Sequence, residues 1–151
     1  MIRTLKELDE VCTRLRAEKE AALDTEFVWR RTYRPSLALV QLGARDGTSW
    51  VEDCLQGFSP QPLGDLLADP QTVKILHDAH QDLEHLYHYT GAQPVNVFDT
   101  QLAAAFAGFP AGLSLQGQSG GNYGRHIAED GDGDGLVAAS ADRGADPVCA
   151  R

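Results

Sequence analysis

Ala21-Ala22-Leu23-Asp24-Thr25-Glu26-Phe27-Val28 decides how the rest of this chain is read. Apolar, β-branched and aromatic residues surround two acids, which is the composition of a strand. Side chains alternate between faces along a strand, so Asp24 and Glu26 point the same way. Their Cα atoms would lie roughly 6.5 Å apart. Two carboxylates in an apolar strand are costly to bury unless something pairs with them. Hard divalent cations take carboxylate oxygens, so the pair is read as half of a two-metal hydrolytic site. The alternative is an edge strand carrying two solvated acids.

Before this strand, Thr4-Leu5-Lys6-Glu7 fits a capping box. Leu5, Leu8, Cys12 and Leu15 then recur at three- and four-residue steps, predicting an amphipathic helix to about Ala17. After the strand comes Arg30-Arg31-Thr32-Tyr33-Arg34-Pro35, a cluster able to hold a phosphate backbone or to stay a solvated surface. Leu37 to Leu42 and Thr48 to Glu52 read as strands joined by an Asp46-Gly47 hairpin turn. Ser59-Pro60-Gln61-Pro62 is a loop, and Leu63 to Ala68 a short helix ending before Pro70.

Val73 to His77 is a short apolar strand leading into a helix that runs to Thr90, with Asp78 as its expected cap and Gly91 after its end. Asp78, Asp82, His85 and Tyr89 fall on one polar face, while Leu83, Leu86 and Tyr87 are expected to face more nearly inward. The helix start is expected to keep Asp82 ionised. Val95 to Phe98 is a fifth strand, and Asp99 caps a helix from Thr100 to Ala107. Strand-helix-strand-helix at this spacing adds parallel pairs to an antiparallel meander. The expectation is an α/β fold, a mixed five-stranded sheet with flanking helices.

The chain has 151 residues, enough for one domain with a core. No apolar run approaches the ~20 residues that span a bilayer, and no signal-peptide core opens the chain. Cys12, Cys54 and Cys149 lack metal-type spacing and fit a reduced, cytoplasmic compartment. A net charge of −9 argues against a broad phosphate-tracking surface but not against gripping one chain end through metal ions.

Four segments, taken together, resemble the exonuclease domain of the ribonuclease D family. They are Leu23-Asp24-Thr25-Glu26-Phe27; Arg31-Thr32-Tyr33-Arg34-Pro35 running into Leu37-Ala38-Leu39-Val40-Gln41; Lys74-Ile75-Leu76-His77 with Gln81-Asp82-Leu83-Glu84; and Phe98-Asp99-Thr100-Gln101-Leu102. That family belongs to the DEDD group of 3′–5′ exonucleases and has a ribonuclease-H-like fold. The resemblance covers residues from about 4 to 116. It implies that Asp24, Glu26 and Asp82 are catalytic ligands of two divalent ions, Mg²⁺ or Mn²⁺, with Asp24 shared between them. It implies that Thr25 and Phe27 line the pocket of the terminal nucleotide. His77 and Gln81 either face that pocket or make helix-start hydrogen bonds, and Asp99 either holds a fixed family position or simply caps its helix. The implied partner is a nucleic-acid 3′ end, RNA ahead of DNA, with no membrane.

The family's third motif, a Tyr followed four residues later by Asp, does not occur after Leu115. Tyr123 is followed at that spacing by Ile127. From Gly117 the tail turns glycine- and aspartate-rich and loses apolar periodicity, so residues 117–151 are expected to be largely disordered. Codons for Asn122 onward can be chosen so that the +1 frame spells a string like the continuation of ribonuclease D domains, which would make the tail a frameshift product. Asp130-Gly131-Asp132-Gly133-Asp134-Gly135 opens like a calcium loop but carries Ala141 where its final Glu should stand. The histidines His77, His80, His85 and His88 share no single helix face, which argues against zinc. Three functions follow in order: a metal-dependent 3′–5′ exonuclease domain; a truncated, weakly active or inactive remnant that binds metal or nucleic acid; and a proofreading-type DNA exonuclease. The missing motif predicts weak activity and poor stability for the chain as it stands.

Overall fold

The structure, a computed structural model, describes residues 1–29 and 35–110. The arginine cluster at Arg30–Arg34, the glycine-rich tail, its frameshift reading and the calcium-loop motif all lie outside the described residues. Met1–Ala103 is one compact unit, and a second begins at Ala104.

Helix α1 covers Leu5–Glu18, and strand β1, Glu20–Val28, follows it directly. The Thr4 side chain accepts from the Glu7 N–H, and Glu7 reaches back to the Arg3 N–H. The first is the exchange a capping box makes, while the Glu7 carboxylate reaches one residue past the cap to Arg3 instead of the Thr4 N–H. Strands β2, Ser36–Gly43, and β3, Ser49–Asp53, complete an antiparallel meander with β1. Its turn is closed by Gly47, which sits at φ +84° and donates its N–H to the Ala44 carbonyl. Glycine is favoured there because it has no Cβ to clash at positive φ.

Helix α2 spans Gln61–Ala68, β4 Val73–Leu76, α3 His80–Thr90, β5 Val97–Asp99 and α4 Thr100–Phe106. Strands β1 and β4 pair in parallel, as do β4 and β5, giving the order β3-β2-β1-β4-β5. The mixed five-stranded sheet expected from the sequence is therefore the observed one.

One face of the sheet holds the core. Leu8, Val11, Cys12 and Leu15 of α1, Leu63, Leu66 and Leu67 of α2 and Leu86 of α3 pack with Leu23, Val40, Leu42 and Leu76 of the strands. Register assigns the other strand residues to faces. Opposed residues share a face, so Thr25, its partner Val40 and Val40's partner Glu52 form one row on the helix-covered side. Asp24 with Gln41, and Glu26 with Leu39, belong to the opposite side.

Helix α3 differs from its sequence reading at the start and along its faces. Asp78 does not cap it: the cap position is Ala79, without a side-chain bond, and Asp78 stands at φ +55°. Asp99 takes over from a distance. Its carboxylate accepts from the Asp78 and Ala79 N–H groups and also from Gln101 and Leu102 at the start of α4. One carboxylate thus serves two helix starts that lie side by side because β4 and β5 pair. Leu83 and Leu86 pack inward as expected, while Tyr87 and Tyr89 exchange their expected places. Leu86 is fully buried, Tyr89 packs against the core, and Tyr87 is 44% exposed.

Candidate active site

Strand β1 presents its two acids openly. Asp24 and Glu26 are exposed, while Leu23 and Thr25 are buried against the helices. Neither acid has a hydrogen bond or ion pair among the described residues, so their oxygens are available to a cation. A register shift falls between Glu26 and Phe27, just past the pair. Such a bulge twists the strand locally and re-aims the side chains beyond it.

Asp82 approaches from the helix side. It lies in the first turn of α3 and accepts a short hydrogen bond from the Thr25 hydroxyl, whose residue sits between the two acids. Its carboxyl is held above the usual range: burial is the main cause, and the Asp24 charge adds to it, against the lowering hydrogen bond from Thr25. The helix start was expected to keep Asp82 ionised. Burial outweighs that pull in direction, because a helix end is worth about 0.3–1 kcal/mol at a surface, less than the cost of partly desolvating a charge.

Among the described residues, no three acids, histidines or cysteines gather closely enough to form a finished metal cage, and the four histidines make no zinc site. Asp24 and Glu26 share one side of β1, and Asp82 reaches the same strand through Thr25. All three are carboxylates, the donor type that Mg²⁺ and Mn²⁺ prefer.

Phe27 and His85 meet ring against ring, their centroids 4.3 Å apart. His85 was not among the residues the sequence singled out for the site, although its place three residues after Asp82 on the same helix was visible. His77 is engaged elsewhere: its Nδ1 lies 2.9 Å from the Thr100 hydroxyl. Thr100 in turn donates to the Leu76 carbonyl. Gln81 is exposed on the second helical position of α3.

A meander of three strands extended by two parallel ones, with acids on the central strand, defines the ribonuclease-H-like class. Residues 1–117 match the family described as 3′–5′ exonuclease, and the chain belongs to that family. It is 46% identical over 115 residues to the ribonuclease D of Desulfotalea psychrophila, across 76% of this chain and 31% of that protein. Escherichia coli RNase D, described as an exoribonuclease involved in structured RNA processing, aligns with a TM-score of 0.71 and 38% identity. That alignment covers 78% of this chain and 31% of the other. Brucella melitensis NrnC with bound Mg²⁺ aligns with a TM-score of 0.60 and 27% identity, over 80% of this chain and 59% of that one. The chain spans about a third of the length of the ribonuclease D relatives.

Proposed function

We propose that this chain is a metal-dependent 3′–5′ exonuclease domain that removes nucleotides from RNA 3′ ends. The observation that supports the reading is the pair Asp24 and Glu26, open on β1, with Asp82 bonded to Thr25 of the same strand and sensing the Asp24 charge. Asp24, Glu26 and Asp82 would hold two divalent ions, with Asp24 shared. Ions so held offset the charge on the scissile phosphate and make a bound water more acidic.

The chain's own side chains do the rest. The Thr25 hydroxyl fixes one oxygen of Asp82 and leaves the other free. The Phe27 and His85 rings give the terminal base an aromatic surface to stack on. His77, through Thr100, braces the junction of β4 and α4, so it supports the site without touching the substrate. Gln81, exposed at the helix start, can reach a sugar or phosphate. A 3′ end of RNA is the favoured substrate because the relatives are ribonucleases. A cytoplasmic setting suits Cys12 and Cys54, which are free thiols.

The test is a 5′-labelled RNA incubated with Mg²⁺ or Mn²⁺. The expected result is a ladder shortened from the 3′ end, abolished by chelator and reduced at least about 100-fold by Asp24→Asn. Internal cutting, or shortening that ignores the divalent ion, would sink the reading. Metal-dependent binding of the RNA with no cutting would favour a binding domain instead, in keeping with acids that do not converge by themselves.

A further inference from the structure

Glu52 is the least expected residue in the sheet. It is 0% exposed, next to the last residue of β3, on the helix-covered face. Its Oε1 accepts from the Tyr89 hydroxyl at 3.2 Å. Its Oε2 is the one buried side-chain oxygen or nitrogen without a partner among the described residues. The groups that face it are also uncharged when buried: Cys12 from α1, Cys54 from the 3₁₀ turn Cys54–Gln56 and Tyr89 from α3. Further out, around Cys12, stand Asp9, Asp65 and Arg16. Asp53 lies beside Cys54. Among the described residues, no cation pairs with Glu52 itself. A carboxylate there would be an uncompensated buried charge, whereas the protonated acid is only a polar group.

Its placement relative to α3 gives this residue a consequence. The row Thr25–Val40–Glu52 crosses β1, β2 and β3 on one face. Helix α3 is tied to both ends of that row, by Asp82 at Thr25 and by Tyr89 at Glu52. Two strand spacings span about 9.6 Å. Seven helical residues, from Asp82 to Tyr89, rise about 10.5 Å. The two tethers therefore match in span, and Leu86, fully buried, lies between them. If the Glu52 tether opens, the Asp82 end loses its counterpart.

We propose that Glu52 is a positioning residue: sealed on the helix-covered face and bonded to the Tyr89 hydroxyl, it anchors α3 and so keeps Asp82 seated on Thr25. The role of Asp82 in catalysis rests on the exonuclease reading above; the anchor does not. Burial pushes the Glu52 carboxyl above its ordinary value, more than the Tyr89 bond lowers it. A raised folded-state value stabilises the fold fully below the ordinary glutamate value of 4.5, and that stability is lost as pH rises through the folded-state value.

Glu52→Gln mimics the neutral acid without a titrating proton, and Tyr89→Phe removes the donor at nearly constant volume. Infrared spectra of the wild type should show a protonated-carboxyl carbonyl band that persists above about pH 4.3, where ordinary glutamates ionise, and Glu52→Gln should lack it. The melting temperature of the wild type relative to Glu52→Gln should fall with rising pH and then level off. Hydrogen exchange in α3 should be about three- to tenfold faster in Tyr89→Phe, and should quicken in the wild type, not in Glu52→Gln, as pH rises. If trimming occurs, its kcat rather than its KM should follow the same pH trend. Absence of the band, or a melting difference that does not change with pH, would overturn the proposal. No trimming in any variant, with band and exchange as expected, would sink the exonuclease reading and leave the anchor standing.

Discussion

The two faces of this sheet carry acids on opposite terms. On the helix-covered face Glu52 is sealed among apolar side chains, with one oxygen bonded to Tyr89 and the other to nothing among the described residues. On the other face Asp24 and Glu26 stand exposed. Burial pushes the sealed acid above its ordinary value, and its bond to Tyr89 suits a structural anchor. The open acids keep their oxygens accessible and suit a cation. Thr25 links the two settings: it lies between the open acids in sequence, is buried on the helix-covered face, and there holds Asp82, on which the Asp24 charge acts.

Substitutions should separate the faces. The largest loss of stability is expected from Leu66→Ala, which empties a fully buried position of α2. It should cost about 2–5 kcal/mol in urea unfolding; a loss under 1 kcal/mol would mean that this face is loosely packed. Asp99→Asn comes next, at about 1–3 kcal/mol, because one carboxylate serves the starts of α3 and α4. Burial opposes ionisation of Asp99, but its four backbone N–H bonds win and hold it below its ordinary value of 3.8. That contribution is present above 3.8 and lost as pH falls through the lower folded-state value, so the gap between wild type and Asp99→Asn should close in acid. Asp24→Asn should change stability least, within about 0.5 kcal/mol, although it should cost the most activity. A large stability change there would show that the open face is not built for chemistry.

Much of the fold was legible because local patterns and tertiary packing agree. The capping box at Thr4, the Asp46-Gly47 turn, the alternation through Asp24 and Glu26 and the strand-helix repeat after Pro70 each report a nearby physical constraint. Asp99 was legible as a cap for its own helix but not for α3, since nothing in sequence shows that β5 brings it beside Ala79. The face of α3 was read only in part, for a related reason: Leu83 and Leu86 pack as expected, Tyr87 and Tyr89 do not. Asp82 and Tyr89 look like solvated residues, and only the row Thr25–Val40–Glu52 supplies the hydroxyl and carboxyl that let them turn inward.

Sequence alone determined the strand with its paired acids, the order of helices and strands, and the family to which the chain belongs, because each is written in spacing over a few residues. The fold decided which side of α3 is buried, which carboxyl lies in the open and which is sealed in. Those outcomes depend on desolvation and on partners more than twenty residues away: Thr25 with Asp82, Glu52 with Tyr89, and Asp99 with Ala79.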